Sequence, residues 1–217
     1  MRRRKRLAQR SRKRSDHWTR KAKEAGYAAR SVYKLAEIDK RFRIFRRGQR
    51  VLDLGCSPGS WSGFARERIG PRGTLVGIDL TEVDGYPGHQ HVMSILEISR
   101  EALLTPLGGA PDLVLSDMAP FTTGTRLTDH VNQLELARMA AEVAIDCLSP
   151  GGHFVVKVFD GEDAHAYVQA LRPHFTKVRR VRPEATRDES VEFFLVCLDR
   201  RPPTAATAEA PSSPEPT

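Results

Sequence analysis

Lys157 stands in the middle of GGHFVVKVFDG, residues 151–161, a run otherwise apolar enough to form a buried β-strand. A charge buried in a sheet costs several kcal/mol unless it is paired or neutralised. An amine at this place therefore needs a partner or a task. Two carboxylates stand in comparable settings, Asp117 at the end of DLVLSD and Glu192 near the start of VEFFLVCLD, and a second lysine, Lys34, lies in ARSVYKLAEID. Two lysines and two carboxylates balance electrically: the acids favour charged amines, while burial and the neighbouring amine favour the neutral form. A second kind of chemistry is written in VLDLGCSPGSWS, residues 51–62, a glycine-rich turn opening a helix, whose backbone N–H groups can meet a ligand. The dinucleotide fingerprint GxGxxG fails there, because Ser57 and Ser60 occupy the second and third glycine positions, and no GK[ST] follows to make a P-loop. What remains is D-x-G-x-x-x-G, at Asp53, Gly55 and Gly59, with Asp79 further on, where a carboxylate can accept both hydroxyls of a ribose.

These residues converge only if an alternating α/β chain carries them. Val32, Leu35, Ile38 and Phe42 recur at helical spacing, which predicts an amphipathic helix over 29–42, with a shorter helix before it that Gly26 ends. Strands are predicted at 51–54, 74–80, 89–93, 112–117, 153–159, 175–183 and 191–199. Helices are predicted at 58–69, 97–105, 129–148 and 163–172, between strands. Strands separated by helices imply a parallel sheet covered on both faces. The last two strands have only a short loop between them, so the final strand must run antiparallel. In such a sheet, ligands gather at the carboxyl ends of the strands. Asp117 and Lys157 lie at that edge, and Glu192, at the start of an antiparallel strand, joins them. Lys34 can cover the same edge from the preceding helix.

At 217 residues the chain has room for one such domain, and no apolar run approaches the ~20 residues of a membrane span. The three cysteines, Cys56, Cys147 and Cys197, are scattered and read as reduced thiols of a cytoplasmic protein. His89 and His91 have no cysteine or carboxylate cluster beside them, so no metal site is expected. Charge is uneven. Residues 1–50 hold 20 Lys and Arg against 4 Asp and Glu, a net of +16, leaving −8 for the remainder of a chain whose total is +8. So dense a basic segment reads as a polyanion-binding arm. Its first 15 residues carry too few bulky apolar side chains for a membrane-surface helix. The expected organisation is a disordered basic arm over 1–15, a domain over 16–200 that begins with the helical segment, and a disordered tail over 201–217 rich in Pro, Ala, Ser and Thr.

The D-x-G-x-x-x-G loop resembles the S-adenosylmethionine site of Rossmann-like methyltransferases. Taken with ARSVYKLAEID, LSDMAP, GGHFVVKVFDG and RPEATRDESVEFFLVC, the chain over about residues 16–199 is similar to the FtsJ/RrmJ family of ribose 2′-O-methyltransferases, most of all to bacterial members that modify large-subunit ribosomal RNA. The resemblance implies a class I Rossmann-like methyltransferase with a mostly parallel seven-stranded sheet, S-adenosylmethionine as methyl donor, large-subunit ribosomal RNA as partner, and a monomer that needs neither metal nor membrane. It implies a Lys-Asp-Lys-Glu tetrad at Lys34, Asp117, Lys157 and Glu192. In it Lys157 deprotonates or orients the 2′-hydroxyl, of a uridine, Asp117 tunes that lysine beside the donor, and Lys34 and Glu192 position the substrate. Donor contacts are implied at Gly55, Gly59, Trp61, Asp79 and Asp117, and near Ile95. Two departures stand out. The family loop PGGW reads Pro58-Gly59-Ser60-Trp61 here, and the acidic residue that contacts adenine is replaced around Ser94 and Ile95, with Glu97 the nearest acid. A tRNA-directed enzyme and a non-catalytic RNA-binding assembly factor are the alternatives. A nucleobase N-methyltransferase would need [DN]PP[YF] where SDMAP stands.

Overall fold

A computed structural model describes residues 17–120, 123–187 and 190–202. The expected arm, and the expected tail from residue 203 on, lie outside the described residues. The elements run α1 (residues 17–24), α2 (Val32–Phe42), β1 (Arg50–Leu54), α3 (Ser60–Ile69), β2 (Thr74–Asp79), β3 (His89–Val92), α4 (Arg100–Leu104) and β4 (Leu113–Ser116). Then follow α5 (Arg126–Cys147), β5 (His153–Phe159), α6 (Ala164–Leu171), β6 (Phe175–Val181) and β7 (Glu192–Arg200). All seven strands join one sheet in the order β3-β2-β1-β4-β5-β7-β6. β1 to β5 are parallel, and β7 lies between β5 and β6, antiparallel to both.

The strands that carry the site are short apolar runs buried on both faces, as a covered parallel sheet requires. One face packs Leu52, Val114, Phe154 and Val156 against Leu134 and Ala137 of α5 and Tyr167 of α6. The other packs Val51, Leu115, Val155 and Phe194 against Val32, Leu35 and Ile38 of α2 and Trp61 and Phe64 of α3. The chain moves outward from β1 through β2 to β3, then returns to lay β4 on β1's other side. The helices that follow β1 and β4, α3 and α5, therefore lie on opposite faces, and the crevice at this switch point is where open α/β sheets hold ligands.

Several boundaries differ from the sequence expectation: α2 starts at Val32 and not 29, α5 at Arg126 and not 129, and β6 ends at Val181 and not 183. The helix expected over 97–105 is only Arg100–Leu104, because the Ser99 side chain accepts the Ala102 N–H at 3.1 Å and fixes the start there. β4 stops at Ser116, so Asp117 is the first residue beyond the strand and not its last.

Candidate active site

The loop after β1 is drawn over the end of β2. The Gly55 and Cys56 N–H groups both donate to Ile78 O, at 2.8 and 3.2 Å. Gly55 sits at φ +78°, and a Cβ there would lie 2.5 Å from Met118 Cγ and 3.0 Å from its Cα, so the loops after β1 and β4 can approach this closely only through glycine. Asp79 closes the arrangement: its Oδ2 accepts Ser57 N–H at 3.0 Å and its Oδ1 accepts Thr81 N–H at 2.9 Å. Each oxygen keeps acceptor capacity toward the crevice.

That crevice is a cavity of about 320 Å³. Gly55 and Ser57 line it from the first loop, Ile78 and Asp79 from β2, Ser94 and Ile95 from beyond β3, and Asp117 from beyond β4. Gly55, Asp79, Ile95 and Asp117 are thus brought to one cavity, whereas Gly59, Trp61 and Glu97 are not among its lining residues. Trp61 is buried: its indole N–H donates to Ser31 O at 3.0 Å and its ring lies 5.7 Å from that of Phe194. Glu97 is exposed. Ser60, the departure from the family loop, accepts the Ala29 N–H on its Oγ at 2.6 Å. Ser60 and Trp61 together moor residues 29–31, the lead into α2, to the start of α3, and so fix the helix that carries Lys34.

Asp53 lies beneath this loop with no solvent exposure. Ser62 donates to its Oδ2 at 2.5 Å, and its Oδ1 has no hydrogen-bond partner among the described residues. Burial pushes the carboxyl up to about 7, the Ser62 hydroxyl opposes the rise, and the charges of Asp117 and Asp79 add to it. The folded protein then holds a proton that the unfolded chain releases near 3.8. The Asp53 contribution to stability is full at low pH, falls as pH rises from about 4 to about 7, and is level above that. At roughly 1.4 kcal/mol per pH unit, the span is a few kcal/mol at most. The expected result is that Asp53→Asn gains stability relative to the parent as pH goes from 5 to 7.5, read by urea melts at fixed salt. A difference that stays flat across that interval rejects the assignment.

The tetrad residues meet at the carboxyl edge as two ion pairs. Lys157 Nζ donates to the Asp117 backbone carbonyl at 2.6 Å and lies 3.1 Å from Asp117 Oδ1. The second contact lacks hydrogen-bond geometry, since Oδ1 has no hydrogen-bond partner among the described residues; it is an ion-pair contact with acceptor capacity to spare. Lys34 Nζ donates to Glu192 Oε1, and both side chains are nearly buried, 10% and 13% exposed. Strand register explains the meeting. Lys157 is opposite Phe194 and Glu192 opposite Phe159, so Lys157, Phe194 and Glu192 share one face of the sheet. It is the α2 face, where Lys34 Nζ sits 5.6 Å from the Phe194 ring centroid.

A further residue holds this edge. β4 pairs with β5 only as far as Val156, so the next part of β5 needs another hydrogen-bonding partner on that side. Gln133 of α5, buried, supplies it: its Nε2 donates to Lys157 O at 2.6 Å and its Oε1 accepts Phe159 N–H at 2.7 Å. A side-chain amide thus continues the ladder on both sides of Val158. Its signal in the sequence is faint, a glutamine beside the apolar face formed by Val131, Leu134 and Ala137.

Residues 27–200 match the FtsJ-like methyltransferase family. The chain belongs to that family. It is accordingly a methyltransferase with a Rossmann-like fold, as the motifs imply. Among proteins similar to this methyltransferase is the ribosomal RNA large subunit methyltransferase E of Nitratidesulfovibrio vulgaris, 51% identical over 192 residues, which are 86% of this chain and 93% of that protein. The protein of the same name from Sorangium cellulosum is 48% identical over 193 residues, 87% of this chain and 90% of the other. A solved structure from Plasmodium falciparum, assigned to the ribosomal RNA methyltransferases, superposes with TM-score 0.70 at 26% identity, covering 80% of this methyltransferase and 98% of its own chain. One from Clostridium thermocellum, at 14% identity and TM-score 0.53, shares the fold over 76% of this chain and 96% of its own. Among the described residues, no group of three potential ligands could hold a metal ion, and no helix is long and apolar enough to cross a membrane.

Proposed function

We propose that this methyltransferase transfers a methyl group from S-adenosylmethionine to the 2′-hydroxyl of a ribose, that of a uridine, in large-subunit ribosomal RNA. The observation that carries the reading is the pair of buried Lys157 with half-buried Asp117, set at the rim of a cavity whose other acid, Asp79, is held by two backbone N–H groups. The names of the relatives point to the same RNA. The cavity fits the donor. Its size is within the range of cofactor clefts. Asp79 offers acceptors for a ribose diol, Ile78 and Ile95 offer apolar surface for a base, and Asp117 offers a counter-charge to a cation. A Cβ at Gly55 would strike Met118 at the cavity wall. Gly59 and Trp61 act indirectly, by shaping the turn into α3: the Gly59 N–H is donated to Cys56 O at 2.7 Å and the Trp61 indole N–H to Ser31 O at 3.0 Å.

Bound there, S-adenosylmethionine supplies an electrophilic methyl group on a sulfonium. The protein's part is to make a hydroxyl reactive. Lys157 Nζ takes the 2′-hydroxyl proton or holds that oxygen in line, and Asp117 fixes the amine by carboxylate and carbonyl together. Lys34 and Glu192 orient the ribose from the α2 side. The basic first 50 residues, with the arm at 1–15, grip phosphates without reading sequence, as the +16 balance supports. The enzyme works as a monomer in the cytoplasm, where the ribosomal RNA is.

The test is methyl transfer from labelled donor to total ribosomal RNA, intact large subunits and tRNA, followed by mapping of the modified ribose. Label confined to a 2′-oxygen of large-subunit RNA is the expected result. Label on tRNA alone, or on a base, overturns the reading.

A further inference from the structure

The lining of the donor cavity follows the order of the sheet. Asp117 comes from beyond β4, Gly55 from beyond β1, Asp79 from the end of β2, and Met93, Ser94 and Ile95 from beyond β3, the outermost strand on that side. A donor with its sulfonium at Asp117 and its ribose at Asp79 therefore extends its purine toward Ser94. The ribose is attached at N9, so the edge that carries the 6-amino group lies farthest from Asp79. We propose that Ser94 leaves this 6-amino group weakly read, so that the protein also binds donors which lack it or carry a small alkyl group on it; the proposal rests on the S-adenosylmethionine reading above.

An amino group on a purine donates hydrogen bonds, and a site that depends on it needs a strong acceptor, best of all a carboxylate. None stands at this end of the cavity. Among the described lining residues the carboxylates are Asp79 and Asp117, and both face other parts of the donor. Glu97 is exposed and is not a lining residue. What the segment beyond β3 supplies is a hydroxyl. Ser94 Oγ accepts the Leu96 N–H at 3.2 Å, which uses one of its two lone pairs. Its proton has no acceptor among the described residues, so the group can donate as readily as it accepts. A neutral, two-way hydroxyl does not require the amino group, and no charge is stranded when that group is missing. The backbone holds Ser94 in place: the Met93 N–H donates to Asp79 O at 3.0 Å and the Glu97 N–H donates to Ser94 O at 3.1 Å. Around the hydroxyl the wall is apolar and open. Met93 and Ile95 flank it, and Leu80, which lines the same cavity, is 62% exposed. An alkyl group on the amino nitrogen thus meets hydrocarbon and solvent in place of a closed polar wall.

Calorimetry on the full chain, with no RNA present, tests the proposal with three probes. They are S-adenosylhomocysteine, which is the donor without its methyl group, its analogue with hydrogen in place of the 6-amino group, and its N6-methyl analogue. In the wild type the 6-hydrogen analogue is expected to bind about fivefold more weakly than S-adenosylhomocysteine, the worth of one neutral hydrogen bond. The N6-methyl analogue binds no more weakly than that. Ser94→Ala removes most of the preference for the amino form. Ser94→Asp sets a charged acceptor at the same point, so S-adenosylhomocysteine binds more tightly and its preference over the 6-hydrogen analogue widens to about 30-fold or more. A wild-type preference above about 30-fold overturns the proposal, because a strong acceptor other than Ser94 then reads the amino group. So does a preference that neither substitution moves, and so does an N6-methyl analogue that fails to bind. The wild-type comparison decides the matter even where a variant does not fold. Each of these failures leaves the donor reading standing, since S-adenosylhomocysteine itself still binds. A wild-type protein that binds no S-adenosylhomocysteine overturns that reading and the proposal with it.

Discussion

Lys157→Ala lowers kcat for methyl transfer by 10²- to 10⁴-fold, the range over which a positioned proton acceptor contributes, while donor and RNA binding stay within a few-fold of wild type. The residue is buried, and its amine makes both an ion pair and a hydrogen bond to Asp117, so the variant also strands a carboxylate at the cavity rim. Lys157→Arg distinguishes a proton acceptor from a mere positive charge. A guanidinium keeps the charge and the donors but never gives up its proton at working pH, so it does not restore transfer. The measurement is single-turnover methyl transfer with saturating RNA and donor, alongside a thermal melt of each variant. Normal transfer by Lys157→Ala ends the catalytic assignment. Full activity of Lys157→Arg reduces the residue to an electrostatic anchor.

The second large effect is on stability, at the Lys34–Glu192 pair. Both side chains are nearly out of water, so removing one partner leaves the other's charge buried and unmatched. Such a loss costs about 3–5 kcal/mol, or a fall in Tm of roughly 10 °C for a chain of this size. Glu192→Leu is expected to show that fall. Lys34→Met with Glu192→Leu recovers most of it, because well-packed apolar side chains can replace a buried ion pair at little net cost. The recovered double variant remains defective in transfer, since the ribose has lost its orienting groups. Melts of the two single variants and the double variant form a cycle with a coupling of at least about 2 kcal/mol. Losses that simply add sink the claim that these side chains depend on each other.

How much of this was legible in the sequence varies with the kind of information each residue carries. The sheet was legible because its strands are apolar runs separated by helical periodicity, and because the short link before β7 allows only an antiparallel strand. The four tetrad positions were legible because each is an ionisable residue in a setting that penalises charge, and topology then brings three of them to one edge. Their division into two pairs was not legible. It depends on which face each side chain takes in the β5–β7 register and on how α2 is moored, and that mooring runs through Ser60 Oγ and the Trp61 indole. Gln133 escaped notice for a related reason. An amide that stands in for a missing strand neighbour has no sequence pattern of its own, because its value lies in the place where β4 happens to stop.

The place of β7 in the sheet has a consequence for how the protein comes into being. Of the described strands it is synthesised last, yet it inserts between β5 and β6, which are made before it. The described residues that line the cavity of about 320 Å³ have all been synthesised once Leu136 is made. Glu192 and Phe194 come later, and until they arrive β5 keeps an open edge and Lys34 has no acid to meet. A nascent chain can therefore assemble that cavity before it can assemble the rim that holds Lys157. Truncation ahead of residue 192 yields a chain that is inactive and, with β5 unpaired, prone to edge-to-edge association. Methyl transfer is thereby reserved for chains extended past the start of β7.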